Sequence, residues 1–195
     1  MKGFDEFLMH FVPYDKEGFE AFKGAFEPTS HKLAKKELLF EDGDTINKLY
    51  FFEEGHLRGF YKTASGDEIT SNLLSSPLLF TDNYASTHKI PTRLNLQALT
   101  PVSYYSLSLQ KSEELANMPL TVTNFFRVYF SHIFNLYYGA KLSLIYETIE
   151  ERYLRVVREY PELMKIIPQH YLASYLGIRP ETLSRIRKKI MKNSL

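Results

Sequence analysis

Glu181, Arg185 and Lys188 fall at i, i+4 and i+7, so a helix through them carries all three on one face. Such a face can read DNA. A guanidinium takes the two acceptors of a guanine, and a carboxylate accepts from a cytosine amino group. Cations for phosphate surround the pair: Arg179 ahead, then Arg187, Lys188, Lys189 and Lys192, with the hydroxyls of Thr182 and Ser184 between them. Gln169 and His170, further upstream, can add phosphate contacts. The plain alternative is a solvated basic helix, in which Glu181 complements the helix dipole and pairs with Arg185.

The residues ahead of this helix decide between the two. Leu172, Tyr175 and Leu176 make an apolar stripe at i, i+3, i+4. Gly177 follows, where a helix ends in the left-handed conformation. Ile178 is a single apolar plug in the turn. Pro180 then opens a second helix, its φ already set and no N–H to waste. Leu183, Ile186 and Ile190 form that helix's buried stripe, and Ala173 is small where the two helices must cross. This is a helix-turn-helix with the spacing of the DNA-binding form. Charge agrees with it. Residues 1–151 hold 14 basic and 20 acidic side chains, a net of −6, whereas residues 152–195 hold 10 and 3, a net of +7. A basic end on an acidic body is the footprint of a domain that meets a polyanion.

The run Pro180-Glu181-Thr182-Leu183-Ser184-Arg185 resembles the recognition helix of the Crp/Fnr family of transcription regulators, which commonly reads R-E-T-[VL]-x-R. The resemblance assigns base contacts to Glu181 and Arg185. It implies a homodimer on a two-fold site in double-stranded DNA, with RNA polymerase as a further partner. Pro180 replaces the pattern's first Arg, and Arg179 stands where a Ser or Thr cap is usual. After Ile190 too few residues remain for the family's β-hairpin wing. Anchoring to the DNA backbone is therefore expected from Arg187, Lys188, Lys189 and Lys192.

The rest of the chain must position this motif. Phe4, Phe7, Leu8 and Phe11 share one helical face and Phe19, Phe22 and Phe26 another, which predicts helices over 3–12 and 16–26. From 29 to 109 short strands alternate with turn residues. Strands are expected at 38–40, 48–52, 56–62 and 68–74, with a last hairpin of 94–99 and 102–107 around Thr100-Pro101. In strand 56–62, Arg58, Phe60 and Lys62 alternate against Leu57, Gly59 and Tyr61. Residues 119–146 form a long helix. Val122, Phe126, Tyr129, Ile133, Leu136 and Ala140 are spaced alternately four and three along it, a heptad seam suited to an identical partner. A second stripe, Phe125, Phe130, Phe134, Tyr137 and Tyr138, is expected to cover the strands. Thr148-Ile149-Glu150-Glu151 is a capping box, opening a new helix where a hinge is expected between the two domains.

The expected fold class is α+β: an antiparallel jelly-roll β-barrel with flanking helices, a long dimerisation helix and a C-terminal helix-turn-helix. The strand region resembles the family's cyclic-nucleotide-binding barrel. The expected domains are 1–146, a sensor barrel with its dimerisation helix, and 147–195, the DNA-binding domain. In the family a Gly-Glu pair opens a short helix toward the nucleotide phosphate, and an Arg further on pairs with it. Here no Gly-Glu occurs in residues 73–98, and the Arg position is Thr92 with Arg93 next to it. Binding of cyclic AMP in the usual way is not expected. Tyr84, Thr92 and Arg93 remain as candidates for lining some other effector pocket, with His88 a further polar neighbour.

Composition closes several other routes. There is no cysteine, which excludes disulfides and a Cys-ligated iron–sulfur cluster. The six histidines (His10, His31, His56, His88, His132 and His170) show no metal-ligand spacing, and no nucleophile elbow or phosphate loop occurs. No cofactor, no metal and no enzymatic activity are expected. No apolar run of about eighteen residues occurs, so no spanning helix and no membrane partner are expected, and a cytoplasmic protein is the default. The alternative from another class is a cupin-like enzyme or small-molecule-binding barrel whose C-terminal helices are structural.

Overall fold

The computed structural model describes residues 1–111 and 117–193. Ser194 and Leu195, the end of the expected anchoring tail, lie outside the described residues. Two helices, α1 (Phe4–Met9) and α2 (Lys16–Ala25), precede eight strands: β1 (His31–Leu33), β2 (Leu38–Phe40), β3 (Lys48–Glu54), β4 (His56–Lys62), β5 (Glu68–Ser75), β6 (Leu78–Phe80), β7 (Asn95–Ala98) and β8 (Val102–Ser108). A short helix, α3 (Asn83–His88), interrupts them after β6. The long helix α4 (Leu120–Tyr146) follows, then α5 (Ile149–Glu159), α6 (Pro161–Ile166), α7 (Gln169–Leu176) and α8 (Pro180–Asn193).

The strands form two four-stranded antiparallel sheets, in the orders β1-β8-β3-β6 and β2-β7-β4-β5. The expected barrel is therefore corrected. No ladder joins one sheet to the other among the described residues, so the two layers are not closed. The expected β7–β8 hairpin is also corrected. β7 pairs with β2 and β4, while β8 pairs with β1 and β3, so the Thr100-Pro101 turn carries the chain from one sheet to the other. Two apolar strands joined by a Pro turn look alike in sequence whether they pair or cross between layers. β3 and β4 cross over in the same way through Gly55 alone. Its φ of 107° needs glycine, and a Cβ there would lie 2.6 Å from the Pro101 carbonyl oxygen.

The N-terminal helices exist to cover one sheet. Phe4, Phe7, Phe19 and Phe22 meet Phe51 of β3 and Phe125 and Tyr129 of α4 in one buried cluster. Several of these rings meet edge to face, as Phe4 and Phe51 do at 4.8 Å and 87°, which suits the ring quadrupoles. The first half of α4 is thus committed to its own chain. Val122 and Tyr129, expected on a dimer seam, are buried in this core, and Phe126 packs on its margin. Of the stripe expected to cover the strands, Phe125 does so, but Phe130, Phe134, Tyr137 and Tyr138 are exposed. The helix outruns the sheet it packs on, so among the described residues most of the large apolar side chains past its first three turns are left uncovered.

Tyr129 also closes an edge. Its hydroxyl donates to the Leu79 carbonyl at 2.6 Å and accepts from the Leu79 N–H at 3.2 Å, on the outer strand β6. Burial pushes its phenol up to about 12, so it holds its proton and keeps both roles. Beyond α4 the capping box forms as expected: Thr148 N donates to Glu151 Oε2 at 2.7 Å, and Glu151 N to Thr148 Oγ1 at 3.3 Å. Arg155 of α5 braces the same joint, reaching Glu147 at 3.1 Å and Ser143 at 2.7 Å. Replacing Tyr129 by Phe keeps the ring packing but strands both Leu79 backbone groups. Urea denaturation of Tyr129→Phe is expected to show about 1–3 kcal/mol of lost stability with an unchanged slope.

Candidate DNA-reading helix and effector pocket

α7 and α8 build the helix-turn-helix. Leu172, Ala173 and Leu176 of α7 pack on Leu183 and Ile186 of α8, all buried in one cluster. Tyr175, Ile178 and Ile190 are partly buried around it. Gly177 ends α7 in the left-handed region (φ 70°), and Ile178 N donates to Ala173 O at 3.0 Å across it. This closes the turn so that Arg179 O accepts the first amides of α8, from Thr182 and Leu183. α6 was not anticipated. Its Pro161 starts a short six-residue helix that adds Leu163 to the same core.

The face of α8 away from this core is open. Glu181, Arg185, Lys188 and Lys189 are exposed, as are Arg179 and Lys192, while Thr182, Ser184 and Arg187 are half-buried. Arg185 does not pair with Glu181. It donates instead to Thr182 Oγ1 at 3.2 Å, so the carboxylate is left to solvent. Lys189 turns toward α5, where its ammonium lies 2.7 Å from Glu150. Gln169 and His170 are exposed at the start of α7. They are brought to the same side of the molecule as Lys35 and Lys36, which line a cavity of about 300 Å³ together with His170, Tyr171 and Gln97.

The effector candidates do not converge. Thr92 is fully buried, and its hydroxyl donates to Asp82 Oδ2 at 2.6 Å. Asp82 Oδ1 in turn accepts Ala85 N at 3.1 Å, capping α3. A side chain of the chain itself thus holds the end of α3 and the residue in the Arg position together. Arg93 points the other way, with a side chain 74% exposed and its Nε 3.3 Å from Asp42. Successive residues entering β7 face opposite sides, so only one of the two can look inward. Tyr84 is 66% exposed and rests on His88 at 4.3 Å. Among the described residues no cluster of His, Asp and Glu is placed to hold a metal ion, and no helix is long and apolar enough to cross a membrane.

The dimer candidates divide in two. Val122, Phe126 and Tyr129 belong to the chain's own core or its margin, whereas Ile133 and Leu136 are exposed and Ala140 is half-exposed. The exposed apolar run also takes in Phe134 and Tyr137, 66% and 68% exposed, and continues to Leu144 and Ile145.

Arg58, one of the alternating set with Phe60 and Lys62 in sequence, is buried between β4 and α7. Its guanidinium lies 4.1 Å from the Phe60 ring centre and 3.4 Å from that of Tyr171. Alternation alone does not say which of the two sets faces solvent. Nothing local in sequence signals that a helix more than a hundred residues on would cover that face.

Residues 30–118 match the family model for the cyclic nucleotide-binding domain. No curated protein matches the sequence. Solved structures match over nearly the whole chain. The c-di-GMP-responsive global regulator CLP of Xanthomonas campestris aligns with a TM-score of 0.71 at 15% identity, over 93% of this chain and 94% of that one. FixK2 of Bradyrhizobium japonicum gives 0.68 at 17% identity over 85% of each. A Crp/Fnr-family protein from Eubacterium rectale gives 0.66 at 13%, over 92% and 85%. Residues 30–118 are thus similar to the cyclic nucleotide-binding domain, and the chain as a whole shares the fold of these solved structures.

Proposed function

We propose that the protein is a DNA-binding transcription regulator that works as a homodimer on a two-fold site. Residues 1–146 form the sensor unit with its dimerisation helix, and residues 147–195 form the DNA-binding unit. The observation that carries this reading is the open face of α8. Glu181 and Arg185 lie one turn apart on it, unpaired with each other and flanked by exposed cations. A carboxylate in the first turn of α8 favours the helix dipole, and left to solvent inside a basic surface it can also accept from a cytosine amino group in a major groove. RNA polymerase is the further partner that such a regulator implies.

The dimer contact falls on the second half of α4, through Ile133, Leu136, Phe134 and Tyr137, rather than along the whole expected seam. These side chains leave too much apolar surface for a lone helix in water. The sensor does not take cyclic AMP by the usual two contacts. The Arg position holds a neutral Thr92 already bonded to Asp82, and a phosphate approaching α3 would meet that carboxylate rather than a guanidinium.

In a binding-site selection, Glu181→Ala and Arg185→Ala are each expected to relax preference at one position per half-site, by about 1–3 kcal/mol of discrimination. A uniform loss of affinity with the wild-type preference retained would place base reading elsewhere. Titration calorimetry with cyclic AMP is expected to give no saturable micromolar isotherm, and observing one would reverse the reading of Thr92. The double variant Ile133→Asp, Leu136→Asp should sediment as a monomer, since it places charges in the seam. A persistent dimer would move the interface off α4.

A further inference from the structure

β5 is the outer strand of its sheet, so its free edge should present backbone groups to solvent. At Glu68 and Thr70 it does not. Ser174 of α7 donates its hydroxyl to the Glu68 carbonyl at 3.2 Å and accepts the Thr70 N–H at 2.9 Å. Residues two apart on a strand aim these groups to the same side, so one hydroxyl stands where a further strand would have paired.

One turn earlier on α7, Tyr171 stacks on Arg58. The guanidinium is sandwiched between Tyr171 and Phe60, its Nε donates to Gln97 Oε1 at 2.8 Å, and its Nη2 bonds to Glu68. Arg58 is 1% exposed, and its Nη1 has no partner among the described residues. Leu73 of β5 and Leu99 complete the junction by joining the buried cluster of the helix-turn-helix. α7 is therefore held to the sheet by directional contacts as well as apolar ones, and α8 packs on α7 through the same buried cluster. The place of the reading helix relative to the sensor is settled here.

We propose that the Ser174 clip and the Arg58–Tyr171 stack are specificity determinants that select the separation of the two half-sites. This rests on the reading of the protein as a DNA-binding dimer. In a two-fold dimer, the distance and rotation between the two α8 helices depend on the α4 pair and on where each α8 sits on its own sensor. Lengthening the site by one base pair moves a half-site by roughly 3.4 Å and turns it by roughly 34°. A rigid junction cannot follow both changes, whereas a loosened one can.

The experiment measures binding of wild type, Ser174→Ala and Tyr171→Ala to one selected site and to versions with the half-sites one base pair closer and farther apart. Wild type is expected to prefer one separation by about tenfold or more, comparable to the cost of a mismatched base pair. Both variants should lose most of that preference while keeping the same half-site sequence. Ser174→Ala changes only a hydroxyl, so it remains informative if Tyr171→Ala folds poorly. Hydrogen exchange gives a reading without DNA: the Thr70 amide should be protected in wild type and exchange faster in Ser174→Ala. Unchanged spacing preference in Ser174→Ala, absence of any preference in wild type, or equal exchange at Thr70 would each overturn the proposal. Failure of wild type to bind any DNA would sink the regulator reading itself, and the proposal with it. That outcome is distinct from DNA binding without dependence on spacing.

Discussion

Two open sheets leave four outer strands, and every outer strand carries backbone donors and acceptors that must be met by water, another chain or a side chain. Two of these edges in the protein are met by a single hydroxyl each. Tyr129 of α4 serves both backbone groups of Leu79 on β6, and Ser174 of α7 serves Glu68 and Thr70 on β5. Helices α4 and α7 are thus each registered to a different sheet by hydrogen bonds with fixed direction. Apolar contact alone would allow either helix to slide. A hydroxyl that must face an N–H and a C=O at once does not.

The consequences run outward from these two points. Because Tyr129 anchors α4 early, its first three turns join the aromatic core under α1 and α2, and the rest projects beyond the sheet with its apolar residues uncovered. That division supports a partner chain on the second half only. Because Ser174 and Tyr171 anchor α7 on the opposite sheet, α8 turns its apolar stripe inward to α7 and its charged face outward. The joint between them, at the Thr148 capping box, is itself braced by Arg155 across Glu147 and Ser143. In the proposed regulator, coupling between the strand domain and α8 would pass through these contacts, since they are where the two meet.

The electrostatics follow the same division. The Asp82–Thr92 bond occupies, within the sensor, the place where the family resemblance called for a cation. The one deeply buried guanidinium, Arg58, is instead spent at the junction with α7, between two aromatic rings. A buried cation without its aromatic cover and carboxylate would be costly, which gives the junction a stake in staying shut.

Much of this was legible in the sequence, for local reasons. The Gly177 turn, Pro180 at the start of a helix, the i, i+3, i+4 stripes and the Thr148–Glu151 box depend on residues within a few positions of one another, and each formed as read. So did most of the expected strands. What sequence could not decide was pairing and coverage between distant residues. Thr100-Pro101 marks a turn whether β7 and β8 pair or part to different sheets. Val122 and Tyr129 have a seam's spacing whether they face a partner or the chain's own core. Arg58 keeps strand alternation whether its face meets water or α7. Local steric and capping preferences act within a turn or two and are written in adjacent residues. Which face is buried, and against what, is settled only when segments a hundred residues apart come together.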